Sequence, residues 1–412
     1  MTVTDLLTRK QAKVLKSYLT DDWKILILNG AVRSGKTFIN NFIFMYEMRR
    51  VKRIAEQEGE PNPKYILAGF SNGTIRNNVL SELENTFGIE LRPDRNGHYS
   101  IFGVEIVPAY TGNERGMRSI RGMTSYGAYI NETSLSTQSV FTEIVNRCSK
   151  KGARIICDTN PDSPEHWLKK NYIDNASDEA KIKSYRFTLD DNTFLPEDYV
   201  TSLKASTPSG MFYDRAILGL WVSGDGVVYS DFDKQRMAIS KPPDKPLHYY
   251  VGVDWGFEHK TSIVVFGDDD DGNTYLLEEH TGKHKYIDYW IDVAKDIQKR
   301  YGRGIRYYCD SARPEHVQAF RTAGLMSQNA DKSIMAGVET VGSLMKTGHF
   351  FYVKDKVQDF LDEIYQYVWN EKTGEPLKEH DDVMDAVRYG IYTRHKRGIK
   401  MEIKTKPRAI WG

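Results

Sequence analysis

The segment Gly30–Thr37, GAVRSGKT, is the sequence feature that most constrains the fold of this chain. It satisfies the pattern G-x-x-x-x-G-K-[S/T] and lies between a strand-like apolar segment, Trp23–Gly30, and a helix-like segment that begins at Thr37. In such a loop, backbone N–H groups wrap the phosphates of a nucleotide, the lysine reaches the β- and γ-phosphates, and the hydroxyl holds Mg²⁺. Lys36 and Thr37 are predicted to have these two roles. The other candidate ATP-binding residues of the loop are Gly30, Arg33, Ser34 and Gly35.

Strand-like and helix-like segments alternate after this loop. Such alternation favours an α/β fold with a mostly parallel sheet, which here would form a nucleotide-binding core. The predicted strands are Lys64–Phe70, Gly103–Tyr110, Gly127–Asn131 and Ala153–Thr159, and the predicted helices are Thr74–Phe87 and Gln138–Ser149.

The strand Gly127–Asn131 runs into the pair Asn131-Glu132, where a nucleotide-hydrolysing sheet usually has Asp-Glu. Glu132 is predicted to orient the attacking water and accept its proton. Asn131 is predicted to hold a Mg²⁺-bound water through its side-chain oxygen, without adding negative charge. The amide of Asn131 is also consistent with a different class of protein, a P-loop scaffold that binds ATP without hydrolysing it.

Polar residues around these segments are further candidates for the nucleotide site. Arg118 and Arg121 precede the strand that ends at Asn131, and either can offer a positive charge to the γ-phosphate. Thr159 and Asn160 end the next strand, where they can sense whether that phosphate is present. Gln11, ahead of the first strand, is a candidate for reading the adenine edge.

The length of 412 residues predicts two domains. Residues 1–165 are expected to form the nucleotide-binding core. Residues 166–245, which are rich in proline, indicate a small helical subdomain and a linker that ends in SKPPDKP, Ser240–Pro246. Residues 246–412 begin with a meander of three strands and end in a basic tail, Arg394–Arg408, which is a candidate segment for binding phosphates or a partner.

Aspartates are the chemically distinctive residues of this second domain. Asp254 and Asp310 lie on strand-like segments, and a carboxylate within an apolar strand requires a cation or hydrogen bonds. Asp382 and Asp385 are spaced so that both lie on one face of a helix. Two strand acids and one helix acid are what a two-metal phosphodiesterase site requires.

Composition narrows the class of protein further. The net charge is +1, so any nucleic-acid surface must be local. The three cysteines lack metal-ligand spacing, and neither a signal-like N-terminus nor a long apolar run occurs. We therefore expect a cytoplasmic protein that is neither secreted nor membrane-spanning.

In this order, the motifs resemble those of the large terminase subunit of tailed bacteriophages. The resemblance covers essentially the whole chain and is carried by KQAKVL (Lys10–Leu15), GAVRSGKT, RGMTSYGAYINET (Arg121–Thr133), CDTNP (Cys157–Pro161), GVDWG (Gly252–Gly256), YCDSA (Tyr308–Ala312) and HDDVMDAVRYG (His380–Gly390). It implies a RecA-like P-loop ATPase domain followed by an RNase H-like nuclease domain. The expected function is ATP-driven translocation of double-stranded viral DNA into a procapsid, with metal-dependent cutting of concatemeric DNA.

The resemblance also implies partners and residue roles. The expected partners are the portal protein, the small terminase subunit and further copies of this chain in a ring, in the cytoplasm of an infected bacterial host. Arg121 would be an arginine finger, and Thr159 with Asn160 would couple hydrolysis to movement. The implied nuclease acids, which would bind Mg²⁺ or Mn²⁺, are Asp254, Asp310 and Asp385. The chain departs from the family at two positions, Asn131 in place of Asp and Asp382 where related members carry His. A DNA-repair or recombination nuclease with an attached ATPase is the alternative enzyme.

Overall fold

The computed structural model describes residues 6–175 and 177–404, with side chains up to Lys396. The chain forms two compact units. The first comprises residues up to Thr201 together with Tyr213–Val222, and the second comprises Ser202–Phe212 and the residues from Ser223 onward. Within the described residues, no helix has both the length and the apolar character needed to cross a lipid bilayer.

The first unit is built on a seven-stranded sheet covered by helices. Its strands are β1 (Ile25–Gly30), β2 (Lys64–Gly69), β3 (Tyr99–Ile101), β4 (Val104–Tyr110), β5 (Gly127–Ile130), β6 (Arg154–Thr159) and β7 (Ile182–Phe187). Its helices are α1 (Arg9–Thr20), α2 (Lys36–Glu58), α3 (Asn72–Ile75), α4 (Ser81–Phe87) and α5 (Gln138–Arg147), and α6 (Glu197–Ser206) and α7 (Met211–Ala216) follow. The strand order is β3-β4-β2-β5-β6-β1-β7, and every pair except β3-β4 is parallel.

The predicted parallel sheet is thus confirmed, but the predicted segment 166–245 differs from the structure. Expected to be a helical subdomain and linker, it instead supplies β7, which pairs with β1 at the edge of the sheet, and its residues are divided between the two units. The sequence of β7, IKSYRF, has mostly partly or fully exposed side chains. An edge strand of this kind lacks the continuous apolar run that identifies the buried strands β1, β2, β5 and β6.

The second unit has its own seven-stranded sheet, in the order β13-β12-β9-β10-β11-β14-β8. Its strands are β8 (Ala238–Ile239), β9 (His248–Asp254), β10 (Thr261–Asp268), β11 (Thr274–Gly282), β12 (Arg306–Cys309), β13 (Met326–Asn329) and β14 (Phe350–Val353). Its helices are α8 (Ile287–Tyr301), α9 (Pro314–Thr322), α10 (Ile334–Thr347), α11 (Gln358–Glu363) and α12 (Asp382–Lys404). The predicted meander is confirmed, since β9, β10 and β11 are antiparallel neighbours, and β12 joins β9 in parallel.

Helix α12 packs closely on β9 at a glycine, which brings the acids of the helix towards Asp254. A Cβ atom at Gly252 would lie 2.0 Å from the carbonyl oxygen of Ala386 and 3.0 Å from the backbone nitrogen of Gly390. A larger residue at Gly252 must therefore push the helix away from the strand.

We expect Gly252→Ala to lower the free energy of unfolding by about 1–3 kcal/mol, because overpacking forces the backbone to shift. Urea or thermal unfolding measures this change. Gly304→Ala is the matched control, since a Cβ there meets nothing within 4 Å. Equal stability of the two variants would contradict the close packing.

Candidate functional site

The P-loop holds its lysine in a buried position. Lys36 is 6% exposed, and its ammonium donates to the carbonyl oxygens of Gly30 (2.9 Å) and Ala31 (2.5 Å). It also donates to Asn160 Oδ1 at 3.1 Å, which links the loop to the end of β6. Burial lowers the pKa of Lys36 to about 8, although the charge of Asp158 opposes this shift. A lysine in this environment gains from an anionic ligand that replaces neutral acceptors.

A cavity of about 440 Å³ opens in front of the loop. The amino terminus of α2 lies at this cavity and adds a partial positive charge, which favours phosphate binding. The sequence-predicted residues that line it are Arg33, Ser34, Gly35, Lys36, Thr37, Glu132, Thr159 and Asn160. The structure therefore brings most of the predicted nucleotide-binding residues together around one space.

Glu132 lines this cavity and has an unusual backbone conformation. Its φ and ψ are 54° and 51°, the left-handed region that non-glycine residues rarely adopt. The backbone N–H of Glu132 donates to Asp158 Oδ1 at 3.1 Å, and Ser134 N–H donates to Thr159 Oγ1 at 2.9 Å. Burial raises the pKa of the Glu132 carboxyl, and the charge of Asp158 adds to this rise. Both effects favour uptake of a proton by this side chain.

Asn131 is fully buried, and the structure gives its amide two protein partners. Its Nδ2 donates to Asp158 Oδ1 at 2.8 Å, and its Oδ1 accepts from Asn78 Nδ2 at 3.0 Å. Asn78 lies in a π-helical segment, Arg76–Leu80, and such segments frequently occur at functional sites. Asp158 and Asn78 both line the cavity, and the sequence prediction included neither.

Among the candidates, Gly30 and Asn131 as well as Gln11 and Arg121 lie outside the cavity lining. Gln11 is buried and caps α1 by accepting the Thr8 N–H, while its Nε2 donates to the carbonyl oxygen of Gly35 at 3.0 Å. Arg121 is exposed, in the turn between the 3₁₀ helix Glu114–Ser119 and β5. In the structure Gln11 thus braces the P-loop, and Arg121 is accessible to another molecule.

The carboxylates predicted for the second site gather at one end of the second sheet. Asp254 ends β9, and Asp310 follows β12 directly, with its N–H donating to the carbonyl oxygen of Val253 at 2.8 Å. The pKa of Asp254 is raised well above its usual range, first by burial and then by the charges of Asp385, Asp310 and Asp382. Like charges in a buried cluster require a cation.

Cationic side chains of the protein meet part of this requirement. Lys332 lies 2.5 Å from Asp310, and Arg388 lies 2.8 Å from Asp385 Oδ1. Asp385 is buried, so its ion pair with Arg388 is shielded from water. Asp382 accepts the Lys260 N–H at 3.3 Å.

The donor set fits hard divalent ions, because it consists of carboxylate oxygens. In this conformation, however, no three His, Cys, Asp or Glu side chains of the described residues are arranged to hold a metal ion. In the same conformation, Lys332 and Arg388 contact two of these carboxylates.

Together, a P-loop ATP site and a second, carboxylate-rich α/β unit define the class of two-domain proteins that combine a P-loop NTPase fold with a nuclease-like fold. The family model described as terminase large subunit, T4likevirus-type, N-terminal, matches residues 27–236, just over half of the chain. The chain belongs to this terminase large subunit family, as its motifs predicted.

Similar proteins support this assignment. The large terminase subunit of Salmonella phage P22 is 23% identical over an alignment of 336 residues that covers 76% of this chain and 64% of that protein, so the match spans less than two thirds of this relative. The large terminase of a thermophilic bacteriophage is 26% identical, with a TM-score of 0.79 over 94% of this chain and 98% of that one. Another crystal form of the same thermophilic phage protein, in complex with ATP-γ-S, is 25% identical, with a TM-score of 0.75 over 94% and 99% of the two chains. The fold of both units is therefore that of a phage large terminase, a RecA-like P-loop unit followed by an RNase H-like unit.

Proposed function

We propose that this chain is the motor and nuclease subunit of a viral DNA-packaging machine. It hydrolyses ATP to translocate double-stranded DNA into a procapsid, and it cuts concatemeric DNA at a second, metal-dependent site. The observation that carries the proposal is the presence of both sites in one terminase-family chain, namely Glu132 facing the P-loop and the carboxylates of β9, β12 and α12.

In the ATPase site, each residue has a task that its position supports. Lys36 stabilises the charge of the β- and γ-phosphates, and Glu132 orients the attacking water and accepts its proton. Thr37, at the start of α2, would hold Mg²⁺, which would neutralise phosphate charge. Asn160 accepts a hydrogen bond from Lys36, so loss of the γ-phosphate changes a contact at the end of β6.

Assembly with further copies completes this site in the proposal. Arg121 is exposed, so it acts in the nucleotide site of a neighbouring subunit of a ring. The portal protein and the small terminase subunit are the proposed partners of that ring. The basic tail Arg394–Arg408 is a candidate for partner binding, and its side chains from Arg397 onward lie outside those described.

In the nuclease site, Asp254, Asp310 and Asp385 would hold Mg²⁺ or Mn²⁺, with Asp382 beside them. Bound ions of this kind activate water and stabilise the leaving oxygen of a phosphodiester. Lys332 and Arg388 hold the carboxylates in place when the ions are released.

DNA-stimulated ATP hydrolysis tests the proposal, and Lys36→Ala is the variant that separates the two activities. We expect this variant to lose roughly 10²- to 10³-fold in hydrolysis, because it lacks a preorganised charge on the phosphates. Plasmid cutting in Mg²⁺ or Mn²⁺ should persist, since Lys36 lies in the first unit and the nuclease acids in the second. Hydrolysis that is unchanged in Lys36→Ala, or that DNA never stimulates in the wild type, would contradict the motor function.

A further inference from the structure

Asp158 occupies a central position in the ATPase site. The strand order β5-β6-β1 places the end of β6 between the P-loop strand and the strand that leads to Glu132. In the sheet register, Asp158 is the partner of Leu28, and Cys157 is the partner of Ile130, so Asn131 comes next to Asp158. The side chain is 2% exposed and lines the cavity.

Three hydrogen bonds hold this carboxylate, and all come from β5 and its end. The Tyr129 hydroxyl donates to Oδ2 at 2.7 Å, Asn131 Nδ2 donates to Oδ1 at 2.8 Å, and the Glu132 N–H donates to Oδ1 at 3.1 Å. Three donors offset much of the cost of burying the charge. A carboxylate has about four acceptor positions, so these three bonds leave one position on Oδ2 unused.

The identity of Asn131 follows from this arrangement. An aspartate at position 131 would have no N–H to donate and would face Asp158 at hydrogen-bond distance. Two carboxylates so close in a buried site cannot both be ionised without a large cost. Position 131 therefore carries an amide because the carboxylate is on the neighbouring strand.

We propose that Asp158 is the carboxylate that positions Mg²⁺ in the ATP site, in place of the acid that β5 lacks, and that Asn131 is its hydrogen-bond donor. This inference rests on the proposed ATPase function. In this arrangement the site has the same charge as a site whose acid lies on β5. Lys36, Glu132 and one further carboxylate still face the phosphates, and that carboxylate comes from β6. Asp158 is a positioning residue, and Thr37 remains the direct ligand.

Binding of N-methylanthraniloyl-ADP, measured by fluorescence in Mg²⁺ and in EDTA, tests the proposal. In the wild type, Mg²⁺ should tighten binding, and in Asp158→Asn this gain should fall about 10- to 100-fold, the usual loss when a residue that orients a metal site is removed. Asp162→Asn is the matched control, because Asp162 also follows β6, pairs with Arg215 and is outside the cavity lining. It should keep the wild-type gain.

A reciprocal exchange makes the test sharper. Asn131→Asp alone should lower the melting temperature by more than about 5 °C, because it adds a second buried carboxylate. The double variant, which combines Asn131→Asp with Asp158→Asn, restores one acid and one amide, and it should recover most of the Mg²⁺-dependent gain. Its stability should recover only in part. An amide at position 158 must donate to the new carboxylate and also accept the Glu132 N–H, and no single rotamer makes both bonds as well as the native pair of residues does.

Two results would overturn the inference. One is a folded Asp158→Asn protein whose Mg²⁺-dependent gain stays within about twofold of the wild type, since the loss of a residue that orients a metal site costs about tenfold or more. The other is a double variant with no more gain than Asp158→Asn. Failure of the wild type to bind the nucleotide at all is a separate outcome, and it would contradict the proposed ATPase function itself.

Discussion

Glu132→Gln is expected to abolish ATP hydrolysis while leaving nucleotide binding intact. Glutamine has the shape of glutamate but cannot take the proton of the attacking water, and general-base catalysis contributes roughly 10²- to 10⁴-fold to a rate. The P-loop contacts of Lys36 do not involve this side chain, so affinity for the nucleotide should be retained. Steady-state phosphate release and nucleotide binding, measured on the same preparation, check both parts.

The pH dependence of the wild type gives an independent measure of the same role. Because burial and Asp158 raise the pKa of Glu132, hydrolysis should decline as the pH falls through that raised value, where the carboxylate becomes protonated. The residual hydrolysis of Glu132→Gln should lose this dependence. Glu143→Gln, on the partly exposed face of α5, is the matched control and should behave as the wild type.

A Glu132→Gln variant that hydrolyses ATP at the wild-type rate would place the base elsewhere, whereas a wild type that binds ATP without hydrolysing it would support the alternative of a P-loop scaffold. The structure favours a base at this position, because the strained backbone of Glu132 is held by its N–H bond to Asp158 and its side chain lines the cavity. Strain of this kind persists only where the surroundings enforce it.

The sequence alone predicted the functional residues that lie in short continuous motifs. Lys36 and Thr37 belong to one continuous motif, and Glu132 follows a buried strand, so spacing alone predicted that they lie at one edge of a parallel sheet. The nuclease acids Asp254 and Asp310 were identified by a general argument, namely that a carboxylate in an apolar strand must find a partner.

That same argument applies to Asp158, which follows the apolar residues Ile155–Cys157. The sequence prediction omitted it, because Thr159 and Asn160 come after it and are the polar residues expected at the phosphates. The partners of Asp158 are also invisible in the sequence, since Tyr129 and Asn131 reach it only through the pairing of β5 with β6. Asn78 was unpredictable for a similar reason, because it depends on the local π-helical geometry of Arg76–Leu80.

In the nuclease unit, Asp254→Asn is expected to abolish DNA cutting and, at the same time, to leave the protein at least as stable as the wild type. The pKa of Asp254 is raised in the folded protein, so at neutral pH its ionised form destabilises the native state. A neutral amide of the same shape removes that penalty. The amide also removes a charge that would hold the metal. Bound metals supply several kcal/mol of transition-state stabilisation, and each factor of ten in rate corresponds to about 1.4 kcal/mol. The rate of DNA cutting should therefore fall at least about 100-fold.

This combination of lost cutting and retained stability separates a functional acid from a structural one. Plasmid cleavage in Mn²⁺ or Mg²⁺, with EDTA as the metal-free reference, and thermal unfolding are measured together with DNA-stimulated ATPase, which should be unchanged. Asp296→Asn, on the exposed face of α8, is the matched control and should cut normally. If Asp254 served only a structural role, its replacement would lower the stability instead. A stable Asp254→Asn protein that still cuts would show that the metal site lies elsewhere, whereas an unstable one would mean that the carboxylate supports the native fold.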